Sequence, residues 1–397
     1  KGNPVIFTNG DNDTFPLWYN QETEGVRTDA RVCNLSYLQT DWYIDQMRRP
    51  AYDSPSLPIS WTRLQYVTGT REGIPVQPDA LQQVIDYYKD SPEDLKQMLG
   101  DNPYELKNII RHWVLNDNPD LQIFPTDSIV VTVDKEAVKR SGMMIAADSI
   151  PDVMHISLKG KRAVYKSEMM MLEMISQANW ERPLYMSTTV GPDNYGHLGD
   201  NFVQEGLACR ITPFDTKQSG RTIDSERMYN NMMNKFKYGG LKENPDIYLD
   251  ETVIRMCYTH RRLFNQLAQQ LLKEGQKDKA LKVLQRAEEE IPGSIVPHEA
   301  FYGHSLELAD AWLALGHKAE AEKLLNAVGQ NAREYIEWYL SLNTQRLLQS
   351  SRECLMQIYI LNDIAKTWEP IDKKKAETYR MEVNNYASRC HQRGMSL

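Results

Sequence analysis

The sequence predicts an α/β domain over residues 1–220, followed by an all-α domain over residues 221–397. In the first part, short apolar strands alternate with amphipathic segments, a pattern typical of a mixed, Rossmann-like sheet with parallel βαβ units. Beyond about residue 222 the strand pattern disappears and apolar residues recur at helical spacing. Small residues in this second part also repeat at a fixed interval, which favours tetratricopeptide-like helical hairpins.

The first βαβ unit is predicted within the first 50 residues. Val5–Thr8 is an apolar strand that stops at a polar turn. Thr14 or Asp13 is expected to cap a helix that carries Pro16 in its first turn and ends near Gly25. The next strand and helix are expected at Ala30–Leu38 and Asp41–Met47, with Thr40 as the helix cap.

The rest of the α/β domain is predicted from apolar runs and turn residues. The segment 50–78 is rich in Pro, Ser and Tyr, so we expect a long surface loop or lid there. A turn of Lys and Gly suggests that the two strands beside it form a hairpin. The remaining expected elements are a strand at Ser128–Val133, the hairpin strands Val153–Leu158 and Ala163–Tyr165, a Met-rich helix at Glu168–Asn179 capped by Ser167, and strands at Pro183–Val190 and Leu207–Thr212.

Two copies of a helical-hairpin pattern are predicted in the second domain. Gly275 and Gly316 lie 41 residues apart, as do Ala280 and Ala321. The tetratricopeptide period is about 34 residues, so about seven extra residues must lengthen the connection between the copies. We place them within Ser294–Ala300. Two further helices are expected near 333–366 and 372–392, where they would cap the stack.

The composition excludes some classes of function and leaves others open. The net charge of −8 argues against a nucleic-acid partner, which would require a concentrated basic surface. Neither a signal peptide nor a run of roughly 18 apolar residues is visible. The chain opens on Lys1 without an initiator methionine, so we expect it to be a fragment. The five cysteines form no CxxC pair and do not decide the redox compartment.

Asp11 and Asp13 form a D-x-D pair at the carboxyl end of the first strand, where ligands gather in α/β folds. Such a pair can hold a divalent cation that bridges a sugar diphosphate. It can instead accept hydrogen bonds from sugar or peptide hydroxyls. The simplest alternative is structural, with Asp13 capping the helix while Asp11 orders the turn. We assign no metal and no cofactor to this pair.

Aromatic residues stand at the starts of the first two helices. Their faces can stack on sugar rings, and the carboxylate of Asp41 can accept hydrogen bonds, which suits a carbohydrate or a glycan-accepting peptide. Aromatic residues also commonly pack helices onto a sheet, so both interpretations stay open. Because no nucleophile–base pair is evident, we predict a binding or accessory module and assign no catalytic residue. The candidate substrate-binding residues are Asp11, Asp13, Trp18, Tyr19, Asp41 and Trp42.

Three segments resemble a family of bacterial multi-pass membrane proteins known as domain-of-unknown-function 2723. They are FTNGDNDTFPLWYNQETEGVRTDARVCNLSYLQTDWYIDQM, KSEMMMLEMISQANWERPLYMSTT and EGLACRITPF. That family is related to transmembrane O-mannosyltransferases and is grouped with class C glycosyltransferases. The resemblance implies an O-glycosyltransferase of the bacterial inner membrane, with this region in the periplasm. Such enzymes transfer a sugar from a polyprenyl-phosphate donor to Ser or Thr of acceptor proteins.

The resemblance also implies where the chemistry takes place. The general base of class C enzymes usually lies on a loop between membrane helices, which this chain lacks. By analogy with oligosaccharyltransferases, we hypothesise that the edge at the end of the first strand faces the membrane active site and helps to hold the acceptor peptide or the donor sugar. The edge contains Asp11, Asp13, Trp18, Asp41 and Trp42. The polyprenyl-linked sugar and the membrane would be contacted through the missing N-terminal helices. The alternative is a non-enzymatic tetratricopeptide scaffold that binds peptides or partner proteins, and a weaker third hypothesis is a free-standing D-x-D transferase.

Overall fold

The computed structural model describes residues 2–144 and 149–395. The chain divides into two compact units, Lys1–Asp224 and Ser225–Leu397. The first unit, called the sheet unit below, contains all the strands of the described residues. The second, called the helical unit, contains helices joined by turns and loops. Each unit is described by itself.

The sheet unit contains nine strands and nine α-helices in its described residues. The strands are β1 (Val5–Thr8), β2 (Arg31–Asn34), β3 (Gly73–Pro75), β4 (Ser128–Thr132), β5 (Val153–Ser157), β6 (Ala163–Tyr165), β7 (Leu184–Ser187), β8 (Phe202–Gln204) and β9 (Ala208–Ile211). The helices are α1 (Asp11–Glu24), α2 (Asp41–Met47), α3 (Arg63–Tyr66), α4 (Ala80–Tyr87), α5 (Pro92–Leu99), α6 (Leu106–Ile109), α7 (Lys135–Arg140), α8 (Lys166–Gln177) and α9 (Thr216–Ser219).

The main sheet is mixed, as predicted, with strand order β2-β1-β7-β9-β8. The strand β1 pairs in parallel with both β2 and β7, whereas β9 runs antiparallel to β7 and β8. Every residue of β2 is buried, and Val5 and Phe7 of β1 are fully buried. Continuous burial of this kind is expected for parallel strands that are covered on both faces, and here it includes β2 at the edge of the sheet. Two small antiparallel pairs, β3 with β6 and β4 with β5, complete the strands.

The predicted hairpin between the fifth and sixth strands is wrong. Both strands exist, but β5 pairs with β4 and β6 pairs with β3. After β5 the amide of Leu158 donates to Asp127, which extends the pairing with the β4 side. The carbonyl of Arg162 instead accepts from Val76, next to β3. The local turn signal was correct, but long-range pairing of the backbone groups determined the partners.

The segment 50–78 is more ordered than a surface loop or lid. It contains α3 and β3, and it buries Leu57, Trp61 and Tyr66 in the core. These buried apolar side chains hold the segment against the core. Their spacing is irregular, so the sequence showed no helical or strand period from which this order could be predicted. The Met-rich helix α8 begins at Lys166, before the predicted Ser167 cap, and its methionines fill the core as expected.

The helical unit contains eight α-helices in its described residues. They are α10 (Ser225–Asn230), α11 (Glu251–Lys273), α12 (Lys277–Glu290), α13 (Ser305–Ala314), α14 (Lys318–Ser341), α15 (Thr344–Gln349), α16 (Ser351–Trp368) and α17 (Lys373–Gln392). The main packed pairs are α11 with α12, α13 with α14, α14 with α16, and α16 with α17. Among these described helices, none is both long enough and apolar enough to cross a membrane.

The two predicted hairpin copies correspond to α11–α12 and α13–α14. Gly275 and Gly316 occupy the turns with φ of +75° and +83°, a left-handed conformation that favours glycine. Ala280 and Ala321 are fully buried at matching positions. The long connection after α12 contains the predicted insertion. The predicted helix at 333–366 is wrong at its start, because α14 continues to Ser341 and a new helix follows.

Candidate functional site

The carboxyl end of β1 is separated from α1 by only two residues. Gly10 has φ of +79°, so the chain turns sharply and α1 begins at Asp11. The expectation that Thr14 or Asp13 caps this helix is therefore wrong by three or four residues. Gly10 is the cap residue and offers no side chain, and Pro16 lies in the second turn. The helix ends at the left-handed Gly25, as predicted.

Asp13 stabilises this turn from inside the helix. Its carboxylate accepts the backbone N–H of Asn9 at 3.0 Å and the hydroxyl of Thr189 at 2.9 Å. Thr189 follows β7, and its hydroxyl is also 2.6 Å from that of Ser187. The carboxylate thus joins the ends of β1 and β7. Of the alternatives for the D-x-D pair, the geometry favours a structural role for Asp13. Asp13 holds the turn together, whereas Asp11 was expected to do so.

Asp11 lies on the same helix turn but differs from Asp13 in its environment. It is exposed, and its side chain makes no hydrogen bond or ion pair with any residue that the structure describes. Asp11 is the first residue of α1. Asp11 can therefore accept hydrogen bonds from a ligand without breaking an internal contact.

Asn34, the last residue of β2, holds the two strand ends together. Its amide nitrogen donates to the Gly10 carbonyl at 3.2 Å and to the Thr14 hydroxyl at 2.9 Å. Its side-chain oxygen accepts the N–H groups of Ser36 and Tyr37. This side chain is fully buried, and its hydrogen bonds to Ser36 and Tyr37 turn the chain. The strand β2 therefore ends at Asn34, whereas the sequence predicted that it would continue to Leu38.

Aromatic side chains form a row along this edge. The ring of Trp18 stacks on Phe15 at 5.6 Å between centroids and on Tyr37 at 6.4 Å, with interplanar angles of 25° and 21°. Trp42 follows, with its ring 5.9 Å from that of Tyr37. Trp42 is 54% exposed and Phe15 is 46% exposed, while Trp18 and Tyr37 are half-buried. We call Phe15, Trp18, Tyr37 and Trp42 the aromatic edge.

The structure separates the other predicted site residues from this row. The carboxylate of Asp41 lies 3.7 Å from the guanidinium of Arg63 and accepts the Thr68 N–H at 3.3 Å. The Thr68 amide, and to a smaller extent Arg63, lowers the pKa of Asp41. Asp41 is thus used to hold α2 to the following segment. Tyr19 is 61% exposed, one residue after Trp18 on α1.

Within residues 2–144 and 149–395, no three His, Cys, Asp or Glu side chains gather in an arrangement that could hold a metal ion. The chemistry available at the aromatic edge is stacking, apolar contact and hydrogen bonding. Polar groups close to it in the chain are the carboxylate of Asp11, on the same helix as Phe15 and Trp18, and the hydroxyl of Ser36, which donates to the side chain of Asn9 at 2.7 Å. This arrangement can bind a ligand that has both apolar and hydroxyl groups.

A family model described as TMEM260-associated domain 2 matches residues 1–231 of this chain. The chain belongs to the TMEM260-associated domain 2 family. The match covers the sheet unit and the first residues of the helical unit. Membership suggests a link to a family of membrane proteins related to glycosyltransferases. Neither a curated protein nor a solved structure matches the chain at a significant level.

Three site residues of this TMEM260-associated domain 2 member were missed in the sequence, namely Phe15, Asn34 and Tyr37. Asn34 was assigned to the interior of a strand, and Tyr37 to its end. The signal that identifies Asn34 is the pattern Asn-x-Ser just after an apolar run, because asparagine often accepts backbone N–H groups two and three residues ahead. Tyr37 is recognisable only from the fold, since it contacts Trp18 from the segment between β2 and α2.

The two aspartates should differ in their effect on stability. Replacing Asp13 by alanine should lower the free energy of unfolding by about 1–2 kcal/mol, because the Asn9 amide and the Thr189 hydroxyl lose a charged acceptor. Replacing Asp11 should change it by no more than about 0.5 kcal/mol, as is usual for a surface site. Denaturant unfolding of both variants measures the difference. Equal losses would contradict the roles assigned to the two carboxylates.

Proposed function

We propose that the aromatic edge binds the acceptor segment of a membrane protein O-glycosyltransferase to which this region belongs. The observation that carries the proposal is the row of aromatic rings, of which Phe15 and Trp42 are exposed, together with the free carboxylate of Asp11, at the carboxyl ends of β1 and β2. Ligands of α/β folds gather at this edge of the sheet. Membership in the TMEM260-associated domain 2 family supports the connection with a glycosyltransferase of the membrane.

The stacking within the row favours a peptide over a sugar as the ligand. Trp18 stacks with both Phe15 and Tyr37, so part of its ring surface is already in contact. A sugar ring binds best to a free aromatic face, and in this row Trp42 retains the largest exposed area. An extended peptide can instead cross several ring edges and present Ser or Thr hydroxyls to Asp11. We therefore assign the edge to the acceptor.

The chemistry of transfer belongs elsewhere in the parent protein under this proposal. The parent would lie in the inner membrane of a bacterium, with this region in the periplasm, and would take the sugar from a polyprenyl-phosphate donor. The membrane helices and the general base would precede the present chain. Asp11, Asp13, Trp18, Tyr19, Asp41 and Trp42 would assist recognition, with Asp11 and Trp42 in direct contact and Asp13 and Asp41 holding the backbone.

Two finer fold assignments belong to the same proposal. We describe the sheet unit as Rossmann-like, because its three parallel strands have the order β2-β1-β7 with β1 in the centre. We describe the helical unit as tetratricopeptide-like, because two successive hairpins have a left-handed glycine in the turn and a buried alanine at the same offset. Under this proposal the helical unit recruits acceptor proteins or partners.

Alanine substitution of Trp42 in the full-length parent protein tests the proposal. We expect transfer to acceptor proteins to fall about tenfold or more, because removing an aromatic anchor commonly costs 2 kcal/mol or more of binding. Tyr87→Ala is the matched control, since Tyr87 is 81% exposed on α4 of the same unit. Transfer at the wild-type level in Trp42→Ala, with protein of normal stability, would contradict the proposal.

The alternative function is a scaffold in which the helical unit binds peptides and the sheet unit only supports it. The exposed Tyr335 and Trp338 on α14 favour this alternative, because large exposed aromatic side chains often mark binding surfaces. Trp338→Ala separates the two functions. If that change abolishes acceptor binding while Trp42→Ala leaves it intact, the scaffold function replaces the recognition edge.

A further inference from the structure

Two buried cysteines face each other between the last two helices. The Sγ atoms of Cys354 and Cys390 are 4.0 Å apart, and both residues are fully buried. Cys354 lies in the first turn of α16, and Cys390 lies in the last turn of α17. The two helices form one hairpin, so residues 36 positions apart in sequence meet at its open end.

The sulfur atoms are close enough to bond after a small movement. A disulfide has an S–S distance of about 2.05 Å, so each sulfur must move by about 1 Å. The backbone around them is already fixed, because Arg393, just after α17, donates to the carbonyls of Leu340 at 2.6 Å and Leu342 at 2.7 Å. Leu340 lies in the last turn of α14 and Leu342 directly follows that helix, so these hydrogen bonds hold the end of α17, with Cys390, against the end of α14.

We infer that Cys354 and Cys390 form a disulfide that fastens the C-terminal helix α17 to α16. The oxidant is a small disulfide such as oxidised glutathione, or a protein disulfide of the same class. One thiolate attacks the oxidant, forms a mixed disulfide and releases a thiol. The second thiolate then attacks the protein sulfur and releases the second thiol, so two protein thiols are oxidised and one disulfide is reduced. The inference does not depend on the proposed function.

The position of the pair explains what the bond would do. In a stack of helical hairpins each hairpin contacts only its neighbours, so the terminal hairpin is held on one side and opens first. A covalent bond at the open end of α16–α17 limits the conformations that the detached helix can reach. The enclosed loop of 36 positions is long enough for this restriction to be substantial.

Burial also determines when the bond forms. It raises the pKa of the Cys354 thiol to about 12 and raises that of the Cys390 thiol, so few thiolates exist in the folded protein. The oxidant also has no direct access to either sulfur. We therefore expect the bond to form while the chain folds, when both thiols are exposed, and to resist reduction afterwards.

The test is refolding of the complete 397-residue chain from guanidinium in a mixture of reduced and oxidised glutathione. Peptide mapping under non-reducing conditions should recover one linked pair, Cys354 with Cys390, with the mass lowered by two hydrogens. Hydrogen exchange should show α17 about tenfold or more better protected in the oxidised protein than in the reduced protein. Folded reduced protein given the same mixture should oxidise far more slowly.

Matched variants keep the test decisive. Cys354→Ala and Cys390→Ala should each remove the linked peptide and the gain in protection, whereas Cys33→Ala, at a buried cysteine of β2, should leave both unchanged. Recovery of free or glutathione-capped Cys354 and Cys390 from fully refolded protein would overturn the inference. Unchanged protection of α17 after complete oxidation would overturn the fastening role.

Discussion

Replacing Asn34 by alanine should lower the free energy of unfolding of the sheet unit by about 3 kcal/mol. The substitution removes four hydrogen bonds from a fully buried side chain, two donated and two accepted. A buried polar group left without its partner typically costs about 1–3 kcal/mol, and several partners are stranded here at once. The backbone of Tyr37 also loses its anchor, so the aromatic edge should lose its order and acceptor binding should fall with it.

Hydrogen exchange of the complete chain gives the cleanest measurement, because two compact units need not unfold in one transition. Protection should fall in β1, β2 and the start of α1, and it should be unchanged in the helical unit. Asn12→Ala is the matched control, since Asn12 is an exposed asparagine in the first turn of α1. A uniform loss of protection in both variants, or none in Asn34→Ala, would contradict the role of Asn34.

The position of the candidate site was predictable from the sequence, but its internal geometry was not. A strand followed by a polar turn and an amphipathic helix predicted that Asp11, Asp13 and Trp18 follow the carboxyl end of β1, where the structure places them. The hydrogen bonds of Asn34 and the stacking of Tyr37 on Trp18 depend on contacts between neighbouring βα units. Periodicity describes one element at a time, so it cannot assign such contacts.

The strands show the same difference: local patterns predicted where they lie in the sequence but not which strands pair. The strands β5 and β6 were located correctly, yet their shared turn predicted the wrong partners. In the helical unit, the glycine and alanine repeat predicted both hairpins, because each hairpin is a local structure with its own turn. Local patterns therefore predicted the helical unit better than the sheet.

Replacing Arg261 by alanine should destabilise the helical unit by about 3–5 kcal/mol. Arg261 is fully buried on α11, where it donates to the carbonyls of Ile291, Val296 and Pro297 at 2.7–3.0 Å. These carbonyls belong to the long connection between α12 and α13, so the Arg261 side chain alone holds this connection against α11 at three points. Burial lowers the pKa of Arg261, and the carboxylate of Glu288 opposes that shift. The substitution leaves three backbone carbonyls without their donor, and a buried polar group left unpaired typically costs about 1–3 kcal/mol.

The connection 291–304 should become the least protected part of the helical unit in Arg261→Ala, as measured by hydrogen exchange of the complete chain. Arg261→Lys should recover only part of the protection, because a single ammonium cannot reproduce the geometry of the guanidinium. Lys273→Ala is the control, since Lys273 is an exposed cation in the last turn of α11. A similar loss in Lys273→Ala would mean that α11 itself, rather than the buried guanidinium, controls the stability of the connection.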